Sequence, residues 1–414
     1  MEETLYNYIL FFLQTFTALV GGYYVVIYTL SFLPWKEKKS HAVDEYLRFV
    51  ILIPAHNEEK VVGKLISNLR ELDYPKELYK IVVIADNCTD NTAKVAREAG
   101  AMVWERTDSK RRGKQYALDW AFRKLLKRKE FDAVCVFDAD NLVSLNFLKK
   151  VNERMLSGEK VLQCYLDTKN PFDSWITKAY ALGYWISNRV FQFARWRTGL
   201  SAVLGGTGFA ISMDLIKKYA LGLSSLTEDL ELTMRLNLAG IKVGWIHDAK
   251  VYDEKPLTFK ESWNQRLRWM RGHWDVAVRY GLLLFKKAIF EGKFYMLDMF
   301  FYAISPLRIL LGGVILFFLF FSHVAEVDIE RFSYVWVFPF WFWFLMSLWI
   351  WLYPFVAMVQ EKVPIRAFPY FIYLFLWSLT WIPLVAHALL TFRVKQWSHT
   401  RHTRALTLEE VSQA

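Results

Sequence analysis

Two aspartates, Asp138 and Asp140, flank one alanine directly after the apolar run Ala133–Phe137. In an extended chain, residues i and i+2 point the same way, so both carboxylates can face one ion. Hard oxygen ligands of this kind hold Mg²⁺ or Mn²⁺, and such an ion neutralises a diphosphate that is being expelled. Other polar residues occupy equivalent places. Asn57 and Glu58 follow the apolar run Phe49–Pro54, and Asp86 follows Lys80–Ala85.

These residues need a scaffold that gathers them. The run FVILIP reads as a buried parallel strand, and AHNEEKVVGKLISNL after it as a helix with Asn57 as its cap and glutamates in the first turn. KIVVIA is a second strand, followed by an amphipathic helix in NCTDNTAKVAREAG. A short strand at Met102–Glu105, a basic loop, a helix from Gln115 and the strand Ala133–Phe137 complete the alternation. Strand–helix alternation predicts an α/β domain with a mostly parallel, Rossmann-like sheet covered on both faces. Ligands of such sheets bind beyond the carboxyl ends of the strands. The topology therefore predicts that Asn57, Glu58, Asp86, Asp138 and Asp140 converge.

The ends of the chain read differently. Of the 414 residues 54% are hydrophobic, with 18 Trp and 33 Phe, and the apolar excess lies outside residues 49–280. Four stretches are long enough to cross a bilayer: Leu5–Leu33, Phe294–Phe321, Tyr334–Val359 and Phe368–Phe392. The net charge of +11 sits beside them, at Lys36, Lys38 and Lys39 and again at Arg393, Lys395, Arg401 and Arg404. Retention of positive charge on the inner face explains this better than nucleic-acid binding does. The expected arrangement is a multi-pass protein of the cell membrane with its catalytic domain in the cytoplasm. Three cysteines without metal-ligand spacing suit that reducing compartment. The acidic loop with Glu326, Asp328 and Glu330 fits the outer face. Simple alternation then puts the C-terminus outside, whereas its basic tail favours inside; Pro369 and Pro383 suggest a bent last span. Between domain and spans, Thr258–Lys287 interleaves Trp263, Trp269 and Trp274 with Arg266, Arg268, Arg271 and Arg279, which reads as an amphipathic helix at the membrane interface.

In chain order the sequence carries PAHNEE, ADNCTDNT, RGK, FDAD, GGTG, TED and QRLRW. This ordered set resembles the GT-A fold of family 2 glycosyltransferases. It is most similar to the membrane-integrated branch that includes cellulose, chitin, hyaluronan and poly-N-acetylglucosamine synthases. The resemblance covers residues 49–280 and the spans that follow. It implies divisions at 1–35 (N-terminal span), 36–255 (GT-A domain), 256–292 (interface helices), 293–392 (C-terminal membrane region) and 393–414 (basic tail).

The resemblance also implies roles. Asp86 reads uracil, with Ala55 and Glu58 lining the nucleotide pocket. Asp138 and Asp140 approach the diphosphate and hold the metal, Asp140 more directly. Lys114 and Arg268 neutralise phosphate. Asp229 acts as the base, supported by Glu228. Trp269 floors the acceptor site, bordered by Gly205, Gly206, Thr207 and Gly208. Trp397 and Thr400 belong to a tail that covers the donor. The chemistry of the residues agrees: one carboxylate suffices to take the acceptor proton in an inverting transfer, and an indole face stacks on a sugar ring. The expected reaction moves a sugar from a UDP-sugar, UDP-GlcNAc or UDP-glucose foremost, onto a growing β-glycan. The alternatives are a single transfer to a glycolipid or short saccharide acceptor and a non-catalytic transport or scaffold subunit. Expected partners are the donor, the acceptor, the lipid bilayer and accessory export subunits. QRLRW favours processive synthesis, while the short membrane region leaves a translocation channel open to question.

Overall fold

A computed structural model describes residues 2–34, 45–324, 340–394 and 402–413. Eight strands form one sheet: β1 (Phe49–Ala55), β2 (Tyr79–Asp86), β3 (Met102–Arg106), β4 (Ala133–Val136), β5 (Leu142–Val143), β6 (Val161–Thr168), β7 (Phe209–Ser212) and β8 (Gly244–Asp253). Their order is β3-β2-β1-β4-β7-β6-β8-β5. The β3-β2-β1-β4 half is parallel, as expected, and β6 pairs with β8 in parallel. β7 is inserted antiparallel between β4 and β6, and β5 closes the edge antiparallel to β8.

The side-chain period of two explains why FVILIP is apolar throughout. Val50 and Leu52 face one core, with Val134, Val136 and the helices Lys114–Leu125 and Trp175–Ser187. Phe49, Ile51 and Ile53 face the other, with Cys135 and the helices Val62–Arg70 and Phe147–Leu156. All five are fully buried, and each such side chain stabilises the fold by about 1.5–3 kcal/mol relative to exposure.

The segment after β1 departs from the expected helix start. Asn57 adopts a left-handed conformation (φ 58°) and caps nothing; the helix begins at Val62. Asn57 instead accepts a hydrogen bond from Thr89 N (2.8 Å), while Glu59 accepts one from Asn91 N (2.9 Å) and Glu58 N donates to Thr92 Oγ1 (2.7 Å). The polar residues of PAHNEE thus staple the loop after β1 to the loop after β2. Asparagine tolerates this backbone because its short side chain bonds locally.

The Trp/Arg-rich region is one helix, Phe259–Glu291, started by a capping box of Thr258 and Glu261. One face of its first half packs against the C-terminal helices. Arg266 is fully buried between the rings of Trp377 (4.7 Å) and Trp381 (4.9 Å), with Nη1 2.8 Å from Thr380 Oγ1. Trp274 donates to Val385 O, and Arg271 to Thr391 Oγ1. The exposed apolar stripe lies further on, at Val278, Leu282, Phe285 and Ile289, beside Lys286 and Lys287. That spacing keeps one face of a helix.

Among the described residues, the rod Ile365–Thr391 is long and apolar enough to cross a bilayer. It carries a 3-10 turn around Pro369 and a break at Thr380. Phe294–Ala303 and the following apolar helix meet at 57° and pass the same test only as one bent pair. The first expected span is a helix from Glu2 to Leu30, and the third is helical over Phe340–Gln360. Lys36, Lys38, Lys39, Lys395, Arg401, the acidic loop residues and the start of the Tyr334 stretch lie outside the described residues.

A buried ion pair ties these pieces to the domain. Arg195 Nε lies 3.1 Å from Asp298 Oδ2, both side chains wholly buried, and Tyr23 of the first helix donates to Asp298 (2.9 Å). Removing one partner of such a pair leaves a buried charge alone, whereas an apolar pair of similar volume does not. Asp298→Ala is expected to lose about 3–5 kcal/mol. The double variant Arg195→Met/Asp298→Leu is expected to lose less, as read by denaturant unfolding in detergent.

Candidate active site

One cavity of about 390 Å³ opens at the carboxyl ends of β1, β2, β4 and β8. It is lined by Ala55 and Glu58 after β1, Asp86 at the end of β2, Asp138 and Asp140 after β4, and Asp253 at the end of β8. The loop before β7 adds Gly205, Gly206 and Thr207. Glu228 and Asp229 enter from the first turn of the helix Glu228–Leu238, and Arg268 and Trp269 from the long helix. Lys114 reaches in from the first position of its own helix, after Gly113 at φ 127°. Residues far apart in the chain are thus brought to one edge of the sheet, where open α/β sheets bind ligands.

Gly208 stands apart from the other glycines of its loop. It does not line the cavity; its N–H donates to Val136 O and its carbonyl accepts from Cys164 N, each at 2.9 Å. A Cβ there would lie 2.8 Å from Val251 Cγ2. Its place is therefore the junction of β4, β7 and β6, away from the lining to which Gly205 and Gly206 belong. Gly206 is different. At φ 82° a Cβ would lie 3.4 Å from Asp229 Oδ2. Trp397 and Thr400 lie outside the described residues.

Electrostatics distinguish the acids. Lys114 Nζ contacts Asp138, lies 3.9 Å from Glu228 and donates to Gly206 O at 2.8 Å. Burial would lower its pKa, but Asp138 and Glu228 hold it raised and charged. Burial, opposed by Lys114 and assisted by Asp229, pushes Glu228 up to about 7. Burial also raises Asp229, against the Leu230 N–H, Lys114 and Arg268. Asp140 goes the other way. Burial pushes it up, but His402, Lys169 and the Glu254 N–H together hold it below the usual carboxylate range. Asp86 is raised by burial and opposed by Arg106, whose guanidinium it contacts.

Eight carboxylates line the cavity (Glu58, Asp86, Asp138, Asp140, Glu228, Asp229, Asp253, Glu254) against Arg112, Lys114 and Arg268 as its lysine and arginine residues. A diphosphate entering this surplus of negative charge requires added positive charge. Among the described residues no group of three or more acids, histidines or cysteines is arranged to hold an ion alone. The site therefore fits a divalent cation held by one or two carboxylates and completed by ligand oxygens. Arg268 Nε is buried and has no hydrogen-bond partner among the described residues, which leaves it ready for an anion.

Several lining residues lie outside the motifs: Tyr184, Asp253, Glu254, His273 and Tyr302; Arg112 of RGK and His402 of the basic tail line the cavity as well. The strand β8 was not identified as such in the sequence, so Asp253 and Glu254 lacked the strand-end signal that marked the others. Glu254 joins two parts. Its N–H donates to Asp140 Oδ2 (2.8 Å), and its carboxylate accepts from Thr403 N and Arg404 N (3.0 Å each). The C-terminal segment is further held by Lys169 Nζ on Arg404 O and by Arg404 on Asp173. His402, 2.9 Å from Glu58, completes the cavity wall.

A mostly parallel sheet with paired acids and facing cations at its carboxyl edge is an architecture of the GT-A type. The chain belongs to the family described as "Glycosyltransferase like family 2", whose model matches residues 48–272, more than half of the 414 residues. Among curated relatives it is 29% identical over 273 residues to a probable glycosyltransferase of Bacillus subtilis, YdaM (63% of each chain). It is 29% identical to the beta-monoglucosyldiacylglycerol synthase of Synechocystis (57% of this chain, 50% of that one). It is 25% identical to the poly-beta-1,6-N-acetyl-D-glucosamine synthase of Staphylococcus aureus (66% of each). The matches span half to two thirds of the length of these relatives. Among solved structures, a mannosyltransferase of Pyrobaculum calidifontis, in complex with GDP-Man and Mn²⁺, shares the fold. Its TM-score is 0.51 at 16% identity, covering 85% of this chain and 98% of that one.

The C-terminal contact is directly testable. In Glu254→Gln one acceptor oxygen becomes an amide that opposes a backbone N–H. A hydrogen bond to a charged group contributes about 1.5–3 kcal/mol. Trypsin cleavage after Arg404 is therefore expected to quicken by tenfold or more, while cleavage at the exposed Lys129 stays constant.

Proposed function

We propose that the protein transfers a sugar from a UDP-sugar to the hydroxyl of a β-glycan acceptor, with inversion, at the cytoplasmic face of a membrane. The carrying observation is the meeting of Asp138, Asp140, Lys114, Glu228, Asp229 and Arg268 around one cavity. Asp229 takes the proton of the acceptor hydroxyl. The freed oxygen attacks the anomeric carbon, and the bond from that carbon to the diphosphate oxygen breaks. Glu228 keeps the proton affinity of the pair high, which suits a base working near neutral pH. Arg268 and Lys114 meet the charge that develops on the leaving diphosphate. Asp138 and Asp140 would hold Mn²⁺ or Mg²⁺, which supplies further neutralisation there. Asp86, kept in place by Arg106, presents a carboxylate to the N–H of a uracil, and Ala55 and Glu58 line that end. Trp269, against Tyr180, offers a face for the acceptor sugar.

The relative that makes a poly-N-acetylglucosamine supports processive use of this site with UDP-GlcNAc. A second reading, one transfer to a lipid, has its own support. The cavity lining includes the apolar residues Met270, Leu226 and Leu230, and the Synechocystis relative is a glucosyldiacylglycerol synthase. The rod Ile365–Thr391 and the apolar stripe beside Lys286 and Lys287 support seating on a bilayer in either case.

Purified protein with Mn²⁺ and a panel of UDP-sugars and GDP-mannose is expected to release nucleotide from one UDP-sugar. Asp229→Asn and Asp140→Asn are each expected to lose at least a hundredfold; full activity in both would sink the assignment. A ladder of oligomers supports the glycan acceptor, and a single glycosylated lipid the second reading. The pH dependence has a definite sign. Burial raises the pKa of Asp229, and a base is protonated and idle below its pKa, so kcat/KM is expected to rise with pH along a limb displaced above the ordinary carboxylate range. Glu228→Gln removes a neighbouring negative charge, stabilises the ionised Asp229 and moves that limb to lower pH.

A further inference from the structure

Asp253 is the one lining carboxylate of β8 and falls outside the residues assigned above to base, metal, nucleobase or phosphate. Its position is built rather than incidental. Lys255 Nζ lies 2.6 Å from one carboxylate oxygen and 2.7 Å from the other. That lysine is 3% exposed, and its ammonium sits 3.3 Å from the centre of the Tyr184 ring. Its backbone is clamped in both directions by the Asn170 amide, at 2.9 and 3.0 Å. One buried cation therefore fixes both a carboxylate and a phenol ring, the first by charge and the second through the ring face. About a fifth of the Asp253 side chain stays exposed, and the residue lines the cavity.

The location narrows what these groups meet. Asp253 feels the charges of Asp140 and Asp138, and the Tyr184 hydroxyl feels those of Asp253, Asp229 and Asp138. Asp253 and Tyr184 line the same cavity as the proposed diphosphate carboxylates and the proposed base. In an inverting displacement the donor sugar occupies that cavity, with the leaving oxygen on one side and the attacking oxygen on the other. A carboxylate and a phenol on its wall are an acceptor and a donor suited to ring hydroxyls.

We propose that Asp253 and Tyr184, fixed by Lys255, form the subsite that reads the ring hydroxyls of the donor sugar and so sets which hexose is accepted. This rests on the donor reading given above. Asp253 is a binding and specificity residue, and Lys255 a positioning residue.

The experiment measures hydrolysis of UDP-sugars without acceptor, using the preferred donor and its singly deoxygenated analogues, alongside binding of UDP alone. Asp253→Asn keeps an oxygen for Lys255, and Tyr184→Phe keeps the ring, so both retain the local packing. Wild type is expected to discriminate against one deoxy donor. In Asp253→Asn, kcat/KM for the full donor is expected to fall by ten- to a hundredfold. The penalty for that one deoxy donor is expected to vanish, with UDP affinity within twofold of wild type. Tyr184→Phe is expected to act alike on the same or an adjacent hydroxyl. Undiminished discrimination in both variants overturns the proposal. So does an equal loss of UDP affinity, which would place Asp253 at the diphosphate. If wild type neither binds nor hydrolyses any UDP-sugar, the donor reading fails, and this subsite fails with it.

Discussion

The structure depends on keeping an excess of negative charge together at one edge of a sheet. Two like charges a few ångström apart repel by about 4 kcal/mol at the effective dielectric of a protein surface. Burial sharpens the cost. The fold meets it in three ways. Lys114, Lys169, Lys255 and His402 are distributed so that acids on each side have a cation in reach. Backbone N–H groups hold Asp140 and Asp229. Glu228 meets it by retaining its proton toward neutral pH. What remains is a cavity short of positive charge, which selects for an anion that arrives with its own cation.

Much of this edge was legible in the chain because Glu58, Asp86, Asp138 and Asp140 each follow an apolar run. Phe49–Ile53, Ile81–Ala85 and Ala133–Phe137 are buried on both faces, and a strand of that kind announces itself. β8 does not. Its middle, His247, Asp248 and Lys250, is polar and partly exposed, so Asp253 and Glu254 had no apolar run before them. Asn57 shows another limit. Its type suits a helix cap and an isolated left-handed turn equally well, and the choice was made by Thr89, thirty-two positions away. The GGTG motif joins Gly208 to Gly205 and Gly206, yet Gly208 bonds to the sheet while they line the cavity.

The Trp/Arg-rich segment gives the same lesson at larger scale. Composition marked it as amphipathic, and it is. Its two halves, however, use opposite partners. Arg266 and Trp274 face the C-terminal helices, and the exposed apolar stripe begins only at Val278. Period alone says that a helix has two faces. Which face meets protein is settled by Trp377, Trp381 and Val385, more than a hundred residues later.

That helix runs unbroken for 33 residues, from its cap at Thr258 past Arg268 to the left-handed Gly292. At 1.5 Å per residue it is a strut of about 50 Å. A continuous helix resists stretching along its axis, because its hydrogen-bond ladder is unbroken. A push along the axis at its Phe290 end is therefore passed on toward Arg268 and Trp269, so that the distance of the cavity from whatever supports that end is set by the helix, as a gauge block sets the height of a cutter above the work.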